Sequence, residues 1–149
     1  MNENTALDDD ALRNLLASAK TIAVVGLSEC PSRPSHSVAR YLVEVGYEAI
    51  PVNPAAREIL GRRSYTSLLE VPVRIDVVDI FLRPALVPAT VAEAIEIGAR
   101  AVWMQIGVGS DEAVAMARAA GVPAVSDTCI MVEHRRLLGA LTQRYEVES

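Results

Sequence analysis

Short β-branched segments alternate with longer amphipathic segments along most of this chain, and few folds accommodate that order. Each short segment is rich in valine and isoleucine and is bounded by glycine, proline or asparagine, which is typical of buried strands. The predicted strands are residues 21–26, 47–52, 75–81, 100–106 and 122–126. Because long connections separate them, the strands are expected to run parallel with right-handed crossovers.

The connecting segments carry apolar residues at helical spacing. In residues 37–45 these side chains share one face, and Gly46 follows as a typical helix-ending glycine. The predicted helices are near residues 8–18, 37–45, 88–98, 111–120 and 133–141, with a short one at 64–70. The sequence therefore predicts a single α/β domain over residues 1–149, with a doubly wound, parallel, five-stranded sheet and a short N-terminal helix.

Composition and charge narrow the classes of function. A hydrophobic content of 51% in 149 residues is sufficient for one packed core. The net charge of -5, interleaved along the chain, disfavours nucleic acid as a partner. No apolar segment reaches the roughly 18 residues of a membrane span, and the acidic N-terminus is unlike a signal peptide, which predicts a cytoplasmic protein. Cys30 and Cys129 lack CxxC spacing, so neither a metal site nor a structural disulfide is expected.

Ligands of open α/β sheets bind beyond the carboxyl ends of the strands, so the loops at those ends are the candidate sites. The first loop, GLSECPSRPSHS, begins at Gly26, which permits a tight strand exit. The N–H groups of the following helix favour phosphate, and Arg33 is the only cation of the loop. The hydroxyl donors are Ser28, Ser32 and Ser35. A plain turn capped by Ser35 or Ser37, with Arg33 in solvent, explains the same residues, because a glycine between strand and helix is weakly diagnostic.

The second loop, Pro51-Val52-Asn53-Pro54, distinguishes NAD from a nucleotide that carries a phosphate on its ribose. NAD-binding domains normally place a carboxylate here to hold the ribose hydroxyls. Val52 and Asn53 take that place, whereas Arg57 supplies positive charge that would suit a phosphate on the ribose. The two prolines restrict the backbone. An ordinary Asn-Pro turn is the alternative interpretation.

Two further loops follow the third and fourth strands. In Phe81-Leu82-Arg83-Pro84, Arg83 adds another cation at the same edge of the sheet. Gln105, after Trp103 and Met104, offers a buriable amide that could recognise a base or an amide of a ligand. A polar residue that ends an apolar strand is also often only a satisfied edge group.

Catalysis would require a nucleophile with a base, a paired acid and base, or a set of metal ligands. His36 stands at the start of the helix after the first loop and is expected to be a partly exposed histidine of the capping region, without a catalytic role. Glu133 and His134 are adjacent on a helix and face different directions, so they are not expected to form a dyad. A thiol near a helix N-terminus can have a lowered pKa and be reactive, but Cys30 belongs to the predicted phosphate loop, so a mixed disulfide with a ligand is not expected.

Six motifs in order resemble those of the small stand-alone coenzyme A (CoA)-binding proteins, which are similar to the CoA-binding amino-terminal domain of the succinyl-CoA synthetase α subunit. They are IAVVGLS, SRPS, GYEAIPVNP, DVVDIF, AVWMQIGV and SDTCIMVEHRRL. The resemblance covers about residues 20–139, the expected core of the domain. It implies a Rossmann-like fold that binds CoA or acyl-CoA.

The resemblance also implies a place for each part of the ligand. The loop Gly26 to Ser35, with Leu27 and Pro34, would take the diphosphate side of CoA, and Val52-Asn53-Pro54 the adenosine side. Phe81-Leu82-Arg83 and Met104-Gln105 would take the neighbouring part of the cofactor. This chain has Leu82 where relatives often carry arginine, so a phosphate contact is not carried over to Arg83. Cys30 stands where relatives often have lysine or another polar residue. The phosphorylated histidine of the synthetase lies in a separate domain, so ligase activity is not implied.

Three hypotheses follow. The first is a non-catalytic module that binds CoA or acyl-CoA, as a sensor or carrier. The second is an NADP-binding, oxidoreductase-like domain with Arg57 on the ribose phosphate. The third is a structural or interaction protein with a vestigial nucleotide site. Either a homodimer or a complex with a partner enzyme is compatible with the sequence.

Overall fold

The computed structural model describes residues 7–148, with side chains described up to residue 139. Its main element is a five-stranded parallel sheet in the order β2-β1-β5-β6-β7, which confirms the predicted fold class. Residues 1–6 and 149 of the predicted domain lie outside the described residues. In chain order the strands are β1 (Thr21–Val25), β2 (Glu48–Val52), β3 (Glu58–Ile59), β4 (Arg62–Arg63), β5 (Val77–Ile80), β6 (Ala101–Met104) and β7 (Ala124–Ser126).

Five of the six predicted helical segments are α-helices, and two of these begin three residues earlier than predicted. One predicted helix begins at Pro34 rather than at residue 37, because proline is favoured in the first turn. The last helix begins at Ile130 rather than at residue 133, and the predicted helix 64–70 is a 3-10 turn at Leu68–Glu70. No helix among the described residues is long and apolar enough to cross a membrane. The helices are α1 (Asp9–Ser18), α2 (Pro34–Glu44), α3 (Val87–Glu96), α4 (Asp111–Ala119) and α5 (Ile130–Glu148).

Two layers of buried side chains cover the two faces of the sheet, because successive strand residues point to opposite sides. On one face, Val24, Val77 and Trp103 pack against α1, α2 and α5. On the other, Val25 and Ile80 pack against α3 and α4. We call the first face the α1/α2/α5 layer.

A small antiparallel hairpin of β3 and β4 follows β2 and was not predicted. Its turn residues, Leu60 and Gly61, both have positive φ, of 56° and 72°. Such turns normally use asparagine, aspartate or glycine at the first position, and leucine there gives no turn signal in the sequence.

The order of the strands fixes where a ligand would bind. The chain leaves β1 for β2 on one side and then returns to β5 on the other side of β1. Open α/β sheets bind their ligands at such a switch in strand order, beyond the carboxyl ends of the two strands. In this chain those ends are Val25 and Ile80, which are cross-strand partners.

Candidate functional site

A cleft of about 270 Å³ opens at this switch point. We call it the switch-point cleft. Six of its lining residues come from the two loops that the sequence predicts as ligand loops, and Val108 comes from the loop after β6. The lining residues are Gly26, Ser28, Arg33, Pro34, Ser35, Phe81 and Val108.

Gly26 permits the close approach of the two loops that form the cleft. Its φ of 86° lies in the left-handed region, which L side chains rarely adopt. A Cβ at this position would lie 2.3 Å from the carbonyl oxygen of Phe81. The Phe81 amide in turn donates a 2.8 Å hydrogen bond to the carbonyl of Val25. Any side chain at Gly26 would therefore push the loop after β5 away.

The N-terminus of α2 faces this cleft without a side-chain cap. The N-cap residue is Arg33, whose side chain makes no capping hydrogen bond, so neither Ser35 nor Ser37 caps this helix as the alternative interpretation proposes. Ser35 is buried, and its hydroxyl instead accepts a 2.9 Å hydrogen bond from the Ser28 amide. The Ser35 amide has no hydrogen-bond partner among the described residues. An uncapped helix start with a free amide is a suitable anion site.

Arg33 supplies the positive charge at the cleft. It is exposed, and its guanidinium forms no ion pair with the residues that the structure describes. Ser32 is also exposed but does not line the cleft, and its hydroxyl lies 3.1 Å from the Cys30 sulfur. Arg33 therefore lines the cleft together with Pro34 and Ser35 from the first turn of α2.

Asn53 joins the loop after β2 to the loop after β1. Its side-chain amide donates a 2.8 Å hydrogen bond to the carbonyl of Leu27, and its side-chain oxygen accepts one of 2.8 Å from the Ala55 amide. Its backbone amide donates to the carbonyl of Tyr65. These bonds use both the nitrogen and the oxygen of the Asn53 carboxamide, so the side chain links the two loops at the carboxyl ends of β1 and β2.

The other residues assigned to the adenosine side lie outside the lining of the cleft. The Val52 side chain is buried in the core, whereas Pro54 and Arg57 are exposed. The Arg57 carbonyl accepts a 2.8 Å hydrogen bond from the Ser64 amide, which ties this loop to β4. A ligand would have to extend from the cleft past Asn53 to contact Arg57.

Four further predicted residues serve the core. Leu27 and Met104 have fully buried side chains, and Leu82 is half-buried against the layer on the opposite face. The side-chain oxygen of Gln105 accepts a 3.1 Å hydrogen bond from the Ile130 amide at the start of α5. Gln105 therefore holds that helix start in place.

Arg83 and Val108 lie in different environments from those the sequence indicates. Arg83 is exposed at the start of the 3-10 turn Pro84–Leu86 and does not line the cleft. Val108 lines the cleft and was missed. It follows Gly107, whose φ is 83°, so the glycines of this loop were the only local signal for a chain reversal.

Residues 20–135 match the family model of the CoA binding domain. The chain belongs to this family. An uncharacterized Bacillus subtilis protein, YneT, is 40% identical over 123 residues, which are 83% of this chain and 91% of YneT. A solved structure of a hypothetical protein from Pyrococcus horikoshii is 44% identical, with a TM-score of 0.88 over 89% of this chain and 94% of that one.

A ligase carries a similar segment as a small part of a longer chain. The acetate–CoA ligase (ADP-forming) II of Archaeoglobus fulgidus is 32% identical over 81 residues. The match covers 53% of this chain but only 12% of the ligase. The likeness therefore concerns the CoA-binding domain family and not the whole ligase.

The two histidines of this CoA-binding domain are both buried, so the expected partial exposure of His36 is wrong. His134 Nδ1 lies 2.6 Å from the Tyr41 hydroxyl, and its ring packs edge-on against Tyr41 and Tyr47. Burial lowers the pKa of His134. Glu133 binds Arg136 instead, with 2.7 Å between Oε1 and Nη2, so the neighbours Glu133 and His134 point to different partners. No group of three potential metal-ligating side chains occurs among the described residues.

The Cys30 thiol lies in the loop between β1 and α2. It is exposed, and the hydroxyl and backbone of Ser32 lower its pKa by hydrogen bonding, with a smaller contribution from the charge of Arg33. Cys129 is half-buried, and both cysteines are free thiols. Reactivity of a thiol follows its thiolate fraction and its accessibility.

We expect iodoacetamide at pH 7 to alkylate Cys30 roughly tenfold faster than Cys129. Mass spectrometry of peptides from timed samples measures both rates in one experiment. Ser32→Ala removes the hydroxyl that stabilises the thiolate and should slow alkylation at Cys30 without changing the rate at Cys129. Faster modification of Cys129, or equal rates at Cys30 with and without the Ser32 hydroxyl, would contradict this assignment.

Proposed function

We propose that this protein binds CoA or acyl-CoA in the switch-point cleft without transforming it chemically. The observation that carries the proposal is the uncapped start of α2, where the free amide of Ser35 and the guanidinium of Arg33 face a cleft whose shape depends on Gly26. Membership of the CoA-binding domain family supports the choice of ligand. A diphosphate needs this combination of amide donors and a cation.

The arrangement of strands orients the ligand in this proposal. The diphosphate would bind at Ser35 and Arg33, and the adenosine would extend toward Asn53, because β2 lies next to β1. Arg57 would then contact the phosphate on the ribose. The pantetheine arm would pass between Phe81 and Val108, which also line the cleft.

The loop after β2 argues against NAD as the ligand. NAD-binding domains use a carboxylate at this position for the ribose hydroxyls. Here the position holds Asn53, whose side-chain amide and oxygen already bind Leu27 and Ala55. NADP is the competing ligand that Arg57 could accommodate.

Calorimetric titration of the whole protein with CoA, acetyl-CoA, dephospho-CoA, NAD and NADP tests the proposal. We expect CoA or acetyl-CoA to bind most tightly and dephospho-CoA more weakly. Arg57→Ala should weaken CoA and leave dephospho-CoA unchanged, because dephospho-CoA lacks the phosphate that Arg57 would contact. Tighter binding of NADP than of CoA would replace the proposal with the oxidoreductase-like alternative, and no binding of any of the five would favour an interaction protein.

Arg33→Ala should weaken CoA binding roughly tenfold, which is the usual effect of losing a charge-assisted hydrogen bond. Arg40→Ala is the matched control, since Arg40 is also exposed on α2 but does not line the cleft. Calorimetry on both variants, with the midpoint of urea unfolding as a check on folding, measures the difference. Equal CoA affinities of the Arg33 and Arg40 variants would refute the placement of the diphosphate.

The absence of chemistry on the ligand is part of the proposal. No acid–base or nucleophile–base pair lines the described cleft, whose polar side chains are two serines and Arg33. A cytoplasmic sensor or carrier that delivers CoA to a partner enzyme, alone or as a homodimer, is the role that fits. Acetyl-CoA incubated with the protein should remain intact by chromatography, and conversion to CoA at a rate above the buffer rate would show an enzyme.

A further inference from the structure

Three buried polar side-chain atoms have no hydrogen-bond partner in the described part of the chain. They are Oδ1 and Oδ2 of Asp79 and Nδ1 of His36. Asp79 is fully buried, and His36 is 8% exposed. Buried polar groups are nearly always hydrogen-bonded, directly or through water, so each of these atoms requires an explanation.

Both side chains belong to the same face of the sheet. Asp79 in β5 is the cross-strand partner of Val24 in β1 and of Trp103 in β6. Those two side chains lie in the α1/α2/α5 layer, and α2 carries His36 on its buried side. Because neighbouring residues in register point to the same side, Asp79 faces this layer too.

Both side chains also lie near the same edge of the sheet. Asp79 is the penultimate residue of β5, next to the carboxyl end of that strand. His36 lies in the first turn of α2, which follows the loop at the carboxyl end of β1 and runs back along the sheet. The unpartnered atoms therefore belong to the α1/α2/α5 layer, near the edge of the sheet at which the switch-point cleft opens.

The chemistry of the two groups is complementary. Burial raises the pKa of Asp79 well above its ordinary value, which favours the protonated carboxyl group, and this form can donate one hydrogen bond and accept others. A neutral imidazole has one accepting nitrogen. A buried water typically makes about three hydrogen bonds to polar groups that would otherwise be unsatisfied.

We propose that Asp79 and His36 form an internal water site in which one water molecule bridges the Asp79 carboxyl group to His36 Nδ1. The bridge ties β5, which leads into Phe81, to the first turn of α2, which contains Ser35. Both act as positioning residues for the switch-point cleft, and this role rests on the proposed function. The water site itself does not depend on it.

Nuclear magnetic resonance of the free protein tests the bridge, because the chain contains only two histidines. We expect His36 to be the tautomer with the proton on Nε2, since the bridging water donates to Nδ1. Asp79→Leu should remove the water and shift the His36 Nδ1 resonance, whereas the His134 resonances should stay unchanged. Asp111→Asn is the control, because Asp111 is exposed on α4 on the other face and should leave both histidines unchanged.

A reciprocal measurement protects the test against a variant that fails to fold. In His36→Gln, the carboxyl carbon resonance of Asp79 should move, because its water-mediated partner has changed. Asp79→Asn, which has the same shape and can still bind water, should shift His36 less than Asp79→Leu does. Unchanged His36 resonances in the folded Asp79 variants, or an unchanged Asp79 carboxyl resonance in His36→Gln, would overturn the bridge.

The positioning role has its own readout. Asp79→Leu should weaken CoA binding roughly tenfold, the effect of about one lost hydrogen bond, and Asp79→Asn should largely retain affinity. Equal affinities of the wild type and Asp79→Leu would overturn positioning while leaving the water site in place. If the wild type bound no CoA, the proposed function would fail and the resonance shifts would still decide the bridge.

Discussion

Replacing Gly26 with alanine should lower the free energy of unfolding by about 3 kcal/mol and abolish most CoA binding. Two costs add at this position. A φ of 86° disfavours any L side chain by roughly 1–2 kcal/mol. The new Cβ would also lie 2.3 Å from the Phe81 carbonyl oxygen, so the loop after β5 would have to move. Urea unfolding measures the stability, and calorimetry measures the affinity.

Gly98→Ala separates these two costs. Gly98 also has a positive φ, of 76°, but a Cβ there would meet nothing within 4 Å. Its loss of stability should be about 1 kcal/mol, with no change in CoA affinity. If both variants lost the same stability and kept the same affinity, the contact between Gly26 and Phe81 would not shape the cleft.

The main sheet was predictable because its strands are buried on both faces. Parallel strands of this kind appear as short continuous apolar segments, such as Thr21–Val25, that turn residues bound on either side. The start of α2 was harder to place. Ser35 is a good capping residue in a local pattern, but its hydroxyl binds the Ser28 amide seven residues earlier, which a helical pattern does not show.

The candidate site was partly predictable, because the predicted strands also predict where the loops at their carboxyl ends lie. The rule that ligands bind at strand ends selected Gly26, Arg33 and Phe81, all of which line the cleft. Val108 was missed because only the folded loop after β6 brings it to the cleft. The partner of Gln105, the Ile130 amide, is also distant in sequence, so no local pattern distinguishes a helix-holding amide from one that binds a ligand.

Asp79 shows a different limit of sequence reasoning. Within DVVDIF it interrupts an apolar strand, yet the pattern still predicts a strand correctly. Only the register shows that Asp79 lies between Val24 and Trp103 with no solvent contact. The raised pKa of Asp79 and its proposed water site both follow from that three-dimensional position.

Asp79→Asn should stabilise the protein increasingly as the pH rises. Burial raises the pKa of the folded Asp79 carboxyl well above its ordinary value of 3.8, whereas in the unfolded chain it ionises near that value. Above pH 4 the unfolded state therefore releases a proton that the folded state keeps, and the wild type loses about 1.4 kcal/mol per pH unit until the folded carboxyl ionises. Asparagine has no such proton. Urea unfolding of both proteins at intervals from pH 4.5 to 7.5 measures the difference between their free energies of unfolding. The contributions of the other carboxyl groups cancel in that difference.

Asp76→Asn should give the opposite sign. Burial acts to raise the pKa of Asp76, but hydrogen bonds from the Lys20 and Thr21 amides, with the charges of Arg100 and Arg74, lower it overall. A depressed pKa contributes stability above the unfolded value that is lost as the pH falls through the folded value. Asp76→Asn should therefore destabilise the protein at pH 7 and less so near pH 3.

Two aspartates on the same segment thus have opposite effects, because Asp76 has amide donors and Asp79 has none among the described residues. A difference between Asp79→Asn and wild type that stayed constant with pH would show that Asp79 is ionised in the folded protein.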